Sequence, residues 1–227
     1  MLVSLGDRHS GRYEDNLDRQ LSCTVQPSRY VDEYLADGDI KIKRLIKLIG
    51  IKNGPVFFQG FYDHGKVRLY DPGLRFPGNE YERILAAATG VDLMSILVRC
   101  ALGGKIDLDG FRVESCYDLG GKVCMQYMVN ARAGVIAVYD GLDEIARHFA
   151  VVDVKQKHFV GDVIADSGDI GQRIGEISVL CERKSSVMKE ILAFLREKLV
   201  VEDKDGNSML ISQFDEQAID RWYKDYE

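Results

Sequence analysis

Apolar and polar positions alternate along the chain in blocks whose period changes near the middle. Leu2–Leu5 is a short apolar run that predicts a strand; a polar loop, GDRHSGRYEDNLDRQ, leads to a second strand over Leu21–Gln26, closed by Pro27-Ser28. Ser28 is a helix-capping residue type, and Val31, Tyr34 and Leu35 beyond it share one helical face. Gly38 is expected to interrupt that helix. The next run sets Ile42, Leu45, Ile46 and Ile49 at i, i+3, i+4 and i+7, and Gly50 with Lys52-Asn53-Gly54-Pro55 stops it.

A hairpin follows. Val56–Tyr62 is β-rich, Asp63-His64-Gly65 is a turn, and Lys66–Tyr70 returns. Two helices come next, about Asn79–Ala88 and Asp92–Leu102, each opened by a capping residue and closed by glycine. From about Lys105 the pattern becomes strand-like, with runs at Arg112–Leu119, Val123–Asn130 and Val135–Tyr139. A short helix, Gly141–Phe149, leads to further strands between Val151 and Leu180, broken at Asp166–Asp169. An amphipathic helix, Ser186–Leu199, a hairpin around Asp205-Gly206-Asn207 and a polar final helix complete the reading. The expectation is an α+β chain with two parts, residues 1–104 of mixed helix and antiparallel sheet, and a β-rich lobe with flanking helices over 105–227.

Composition narrows the class without naming a function. The 227 residues carry 30 Lys+Arg against 36 Asp+Glu, a formal charge of −6, with 46% hydrophobic positions, which excludes disordered, collagen-like and disulfide-scaffold classes. Mild acidity without a basic block speaks against nucleic acid or an anionic membrane as partner. The five cysteines, Cys23, Cys100, Cys116, Cys124 and Cys181, are odd in number and lack C-x-x-C spacing; reduced, mostly buried thiols of a cytoplasmic protein are expected. MLVSLGDRHSGR has no basic, apolar signal-peptide pattern, and no apolar run reaches the roughly 18 residues of a membrane span.

Several segments look functional and read more simply otherwise. Lys41–Lys52 is basic and amphipathic, the pattern of a membrane-surface helix and also of a helix on a sheet with its lysines in water; without aromatic anchors the solvated face is favoured. Gly168–Gly175 is glycine-rich but lacks G-x-G-x-x-G spacing. Glu202–Asn207 resembles part of a calcium loop, but Val201 and Ser212 stand at the first and last ligand positions, so it reads as a hairpin turn. His9, His64, His148 and His158 are scattered, and no nucleophile triad is evident.

The hairpin carries more chemistry. If Tyr62 pairs with Lys66, Gln59 faces Leu69 and Asp71 lies diagonally on the same face. An amide oxygen and a carboxylate would then converge on one hard cation, and Mg²⁺ accepts few protein oxygens when water and phosphate complete its shell. Arg75 follows in a loop after Pro72-Gly73, with a guanidinium fork suited to phosphate or carboxylate. A plain solvent face of Gln and Asp remains the alternative.

The run GPVFFQGFYDHGKVRLYDPGLRFPG, followed by ATGVDLMSILVRCALGG, resembles the ATP-grasp superfamily, in its carbamoyl-phosphate-synthase-like and carboxylate–amine ligase branch. In that family a Gln or Glu on one strand and a Glu on the next hold Mg²⁺, and an E-x-N-x-R segment completes the site. Gln59, Asp71 and Arg75 fall on the first ligand, the acid and the arginine. Ala88–Asp92 resembles the segment that opens the family's next helix, and the GDRH and QPS segments, GVIAVYDGLDEIARHF and GDVIADSGDIGQRIGEI resemble other parts of it. Two positions depart: Asp71 replaces Glu, one methylene shorter, and Gly73 stands where an Asn ligand is usual. The family's glycine-rich phosphate loop and its lysines have no counterpart ahead of the hairpin.

The resemblance implies the C-terminal portion of an ATP- and Mg-dependent ligase, in which a carboxylate is activated as an acylphosphate and attacked by an amine or similar nucleophile. Residues 1–104 would be the C-terminal half of an ATP-grasp domain. Gln59 and Asp71 would hold the metal, Arg75 would contact phosphate or acylphosphate, and Asp7 and Arg8 would face the cofactor from the loop after the first strand. The expected partners are ATP and a small carboxylate, engaged through an N-terminal part absent from this sequence, with a homodimer among the expected assemblies. The alternative is a non-catalytic ATP-grasp-derived binding or assembly module.

Overall fold

The longest strands form where the sequence offers a β-rich run unbroken by Gly-Pro signals, and β5 (Lys122–Asn130) is buried from Val123 onward. The computed structural model of the chain describes residues 2–10, 20–78, 80–104, 117–211, 216, 219 and 220. They fall into two compact units, one of Met1–Leu5 and Pro27–Gly120, the other of Gly6–Gln26 and Gly121–Glu227.

In the second unit β5 lies at the centre of a five-stranded antiparallel sheet in the order β1-β2-β5-β10-β8. Its members are β1 (Asp7–Ser10), β2 (Leu21–Gln26), β8 (Val151–Gln156) and β10 (Arg173–Glu182). Cross-strand rows Cys23–Tyr127–Ile177–Val154 and Val25–Met125–Val179–Val151 contribute to one core. The neighbouring row is polar across all five strands: Arg8, Thr24, Gln126, Ser178 and Asp153. Helix α6 (Ser185–Lys198) adds Met188, Ile191, Leu192 and Leu195 to the core at i, i+3, i+4 and i+7.

Two small ribbons complete this unit. β6 (Gly134–Val135) pairs with β9 (Val163–Ile164), and β7 (Val138–Asp140) with β11 (Val200–Glu202). The single strand expected over Val135–Tyr139 is therefore two pieces with different partners. Helix α5 (Leu142–Ala146) lies between β7 and β8. Cys23, Cys124 and Cys181 are buried as expected, and burial pushes the Cys181 thiol up to about 12.

In the first unit α1 (Val31–Glu33) runs through a π-helical turn, Tyr34–Gly38, into α2 (Asp39–Ile49). Gly38 does not break the helix. A Cβ there would crowd the Tyr34 ring and lie 3.2 Å from Val67 Cγ1, so glycine serves close approach rather than interruption. Gly50, with φ of 80°, ends α2 as expected. The apolar side of α2 is only half-covered: Ile42 and Ile46 are partly buried, Leu45 and Ile49 exposed. β3 (Phe57–Asp63) and β4 (Lys66–Gly73) form the hairpin. α3 (Tyr81–Thr89) and α4 (Leu93–Ala101) follow, and Asp92 caps α4 by accepting from Ser95 N at 3.0 Å.

Other expectations shift. Leu2–Leu5 is not a strand; the first strand is Asp7–Ser10, inside the stretch read as a polar loop, so Asp7 and Arg8 are ladder residues opposite Val25 and Thr24. Ser28 Oγ accepts from Tyr30 N at 3.0 Å, a turn just before α1. Leu119–Gly121 is a tight helical turn. Arg112–Cys116, Asn79 and most of the expected final helix lie outside the described residues. Among the described residues no single helix is long and apolar enough to cross a membrane.

Candidate metal and phosphate site

The hairpin turn fixes the geometry of everything above it. His64 and Gly65 have φ of 45° and 76°, the two positive values of a two-residue turn whose twist suits the strands. Asp63 therefore pairs with Lys66, Tyr62 with Val67, and Gln59 with Tyr70. This register is one residue from the expected one, which set Gln59 against Leu69. The ladder then slips: Phe58 pairs with Pro72 and Phe57 with Gly73, leaving Asp71 as the extra residue of a bulge. Asp71 has φ of 46°, a region that Asp tolerates better than most residues. Pro72, which has no N–H to give, follows it at the bulge.

The bulge re-aims the Asp71 carboxylate. Gln59 Nε2 donates to Asp71 Oδ2 at 2.6 Å, and the Tyr70 hydroxyl donates to Gln59 Oε1 at 3.1 Å. The Tyr70 ring stacks on Phe61, with centroids 4.9 Å apart and 19° between planes. Gln59 is partly buried, and Asp71 and Tyr70 are exposed. Arg75, also exposed, places its guanidinium carbon 4.8 Å from the centre of the Phe57 ring, and its Nη1 donates to the Phe76 carbonyl at 2.9 Å.

The outer edge of β4 is held by the helix. Asp37 accepts from the Val67 N–H at 2.9 Å and from Lys41 Nζ, whose ammonium also reaches the Val67 carbonyl at 3.2 Å. The Lys41 bond, and then the Val67 N–H, hold the Asp37 carboxyl below the ordinary carboxylate range.

The structure thus brings Gln59 and Asp71 together and puts Arg75 two residues beyond the end of the same strand. Asp7 and Arg8 belong to the other unit. Tyr70 and Phe57 escaped the sequence reading. The alternation of Phe57, Gln59 and Phe61 was available as a signal, but the bulge that makes Tyr70 the neighbour of Gln59 was not. Among the described residues no three His, Cys, Asp or Glu side chains gather as a metal cage. One carboxylate and one amide oxygen are hard donors that suit Mg²⁺ completed by water and phosphate, and suit zinc or copper poorly.

No protein-family model matches the sequence, and no curated protein sequence matches it. Solved structures do. The chain is similar to an L-amino acid ligase from Bacillus licheniformis, 18% identical with a TM-score of 0.67, over 82% of this chain and 44% of that one. It is similar to phosphoribosylglycinamide synthetase from Anaerococcus prevotii, 14% identical with a TM-score of 0.69, over 90% and 50% of the two chains. A third likeness is the biotin carboxylase domain of the Hydrogenobacter thermophilus 2-oxoglutarate carboxylase, in complex with MgADP, ADP and bicarbonate: 16% identical, TM-score 0.60, over 92% and 47%. The chain spans about half the length of these structures.

Proposed function

We propose, starting from the ATP-grasp fold that these likenesses show, that the chain is the C-terminal portion of an ATP- and Mg-dependent ligase. In the proposed reaction a carboxylate oxygen attacks the γ-phosphorus of ATP, ADP leaves, and an acylphosphate forms. The nitrogen of an amine, or a similar nucleophile, then attacks the acyl carbon, phosphate leaves and the nitrogen sheds a proton. The observation that carries this reading is the convergence of Gln59 and Asp71 at 2.6 Å, with Arg75 just beyond the same strand.

Gln59 and Asp71 would hold Mg²⁺, which when bound offsets charge on the transferring phosphate. Gln59 now turns its amide nitrogen to Asp71. To offer its oxygen there the amide turns over, and the Tyr70 hydroxyl serves both orientations, as donor to Oε1 in one and acceptor from Nε2 in the other. Arg75 binds a phosphate or acylphosphate oxygen through its free N–H groups. ATP and a small carboxylate are the proposed partners, engaged together with an N-terminal part, in the cytoplasm. Asp7 and Arg8, on β1, take no part in the metal proposal.

The test is carboxylate- and amine-dependent release of ADP and phosphate from Mg-ATP, measured on the natural polypeptide that carries this sequence. Asp71→Ala is expected to abolish it; undiminished turnover in that variant overturns the metal assignment. A second reading, a non-catalytic module derived from the same fold, draws on the shorter acid at Asp71 and the missing side chain at Gly73. Mg-ATP binding without phosphate release across a panel of carboxylates would select it.

A further inference from the structure

Gly73 removes one oxygen from the metal shell that the resemblance implies, and the structure shows what stands in its place. Phe57 and Gly73 are directly opposed at the end of the ladder. A Cβ on Gly73 would lie 2.6 Å from Phe57 Cε1 and 2.7 Å from Cδ1, closer than carbon atoms approach, and 3.5 Å from Arg75 Cγ. The φ of Gly73 is not among the positive values, so the backbone does not demand glycine; the ring does. The Arg75 guanidinium lies against the same ring, 4.8 Å from its centre.

We infer that Phe57 is the positioning residue of Arg75, and that the Phe57–Gly73 pair fills with an aromatic ring the space a third oxygen ligand would need. This rests on the reading of Gln59, Asp71 and Arg75 as a metal and phosphate site. The ring and the Phe76 carbonyl together fix one face and one N–H of the guanidinium. Its remaining donors are left for an anion at a reduced cost in ordering a long side chain. Any side chain at position 73 meets ring and arginine at once. In that reading Gln59 and Asp71 would offer Mg²⁺ two protein oxygens, and a phosphate held by Arg75 would help to hold the metal.

Two measurements separate this inference from the reading beneath it. The first is the Arg75 Nε–Hε resonance in a ¹⁵N-resolved spectrum of the full chain, which a ring at this distance displaces. Phe57→Leu is expected to remove the displacement and Phe57→Tyr to keep it. An Arg75 signal unchanged in Phe57→Leu overturns the positioning role. Gly73→Asn is expected to shift the signal as Phe57→Leu does; an unshifted signal in a folded Gly73→Asn chain overturns the steric claim, and Gly73→Ala, which adds the Cβ alone, repeats that test should the larger variant fail to fold. The second is Mg-ADP titration of the natural polypeptide that carries this sequence. Phe57→Leu should weaken binding about threefold, Phe57→Tyr should restore it, and Phe57→Leu should cost nothing further in an Arg75→Ala background. Ring-dependent Arg75 resonances with no Mg-ADP binding in any variant leave the positioning intact and bring down the functional reading alone.

Discussion

Gln59 donates to Asp71 across a β-bulge that forces Asp71 into a left-handed backbone conformation, φ of 46°. The contact that joins the two candidate metal ligands is therefore also a place where the chain holds an L-residue in a disfavoured conformation, and substitutions can tell the two roles apart. Asp71→Gly relieves the backbone cost and Asp71→Ala leaves it, so the glycine variant should unfold with about 1 kcal/mol more free energy than the alanine variant. Both should lose Mn²⁺ binding, read by water-proton relaxation in the presence of ADP. Equal stabilities would show that Asp71 carries no strain, and retained Mn²⁺ binding would remove it from the metal shell.

Tyr70 supplies a group able to donate or accept, so its hydroxyl pairs with the Gln59 amide in either orientation. Tyr70→Phe leaves the Phe61 stack and deletes the hydroxyl. The expected result is unchanged thermal stability within about 0.5 kcal/mol and Mn²⁺ affinity reduced about fivefold, from the loss of one hydrogen bond at about 1 kcal/mol. Unchanged affinity would show that the amide does not turn.

Asp37 gives a pH dependence whose sign is fixed by its partners. Its carboxyl is held below its ordinary value of 3.8, first by Lys41 and then by the Val67 N–H, so its contribution to the helix–hairpin contact is complete above that value. The contribution fades as pH falls through the lower folded value. The Val67 amide shift should titrate with a midpoint under 3.8 and cease to titrate in Asp37→Asn. A midpoint at or above 3.8 would falsify the assignment.

Gly141 tests the second unit independently of any ligand. It has φ of 91°, and a Cβ there would strike the Lys198 carbonyl at the end of α6. Gly141→Ala should destabilise the chain by about 3 kcal/mol, as much as Leu195→Ala, which opens a cavity beneath the same helix at about 2–5 kcal/mol. Denaturant unfolding followed through the second unit measures both; a loss under about 1 kcal/mol in Gly141→Ala would mean that the loop yields.

Much of this architecture is legible in the residues, and the exceptions have physical causes. Helix α6, the α2 stop at Gly50 and the existence of the β3–β4 hairpin follow from periodicity and turn chemistry. β1 was hidden because Asp7–Ser10 is wholly polar and takes its strand conformation from pairing with β2, not from propensity. Gly38 signals a break in isolation and is a point of close packing in context. At the site, the sequence sets Gln59 and Asp71 on one face through a register that is one residue out. The bulge restores the meeting by another route, and a non-glycine residue at positive φ gives no local sign of it. Phe57 signals only a strand former in the sequence, because its role depends on Gly73 across the ladder.

The polar row Arg8–Thr24–Gln126–Ser178–Asp153 bears on fidelity of assembly. Side chains on a strand alternate with a period of two, so a slip of one position in β10 would carry Ile177 or Val179 into that row and Ser178 into the apolar core. The same holds for β2, where Thr24 stands between Cys23 and Val25. One transverse line of hydroxyl, amide and charged groups thus acts as an alignment mark for all five strands, including a four-residue edge strand too short and too polar to find its place by burial alone.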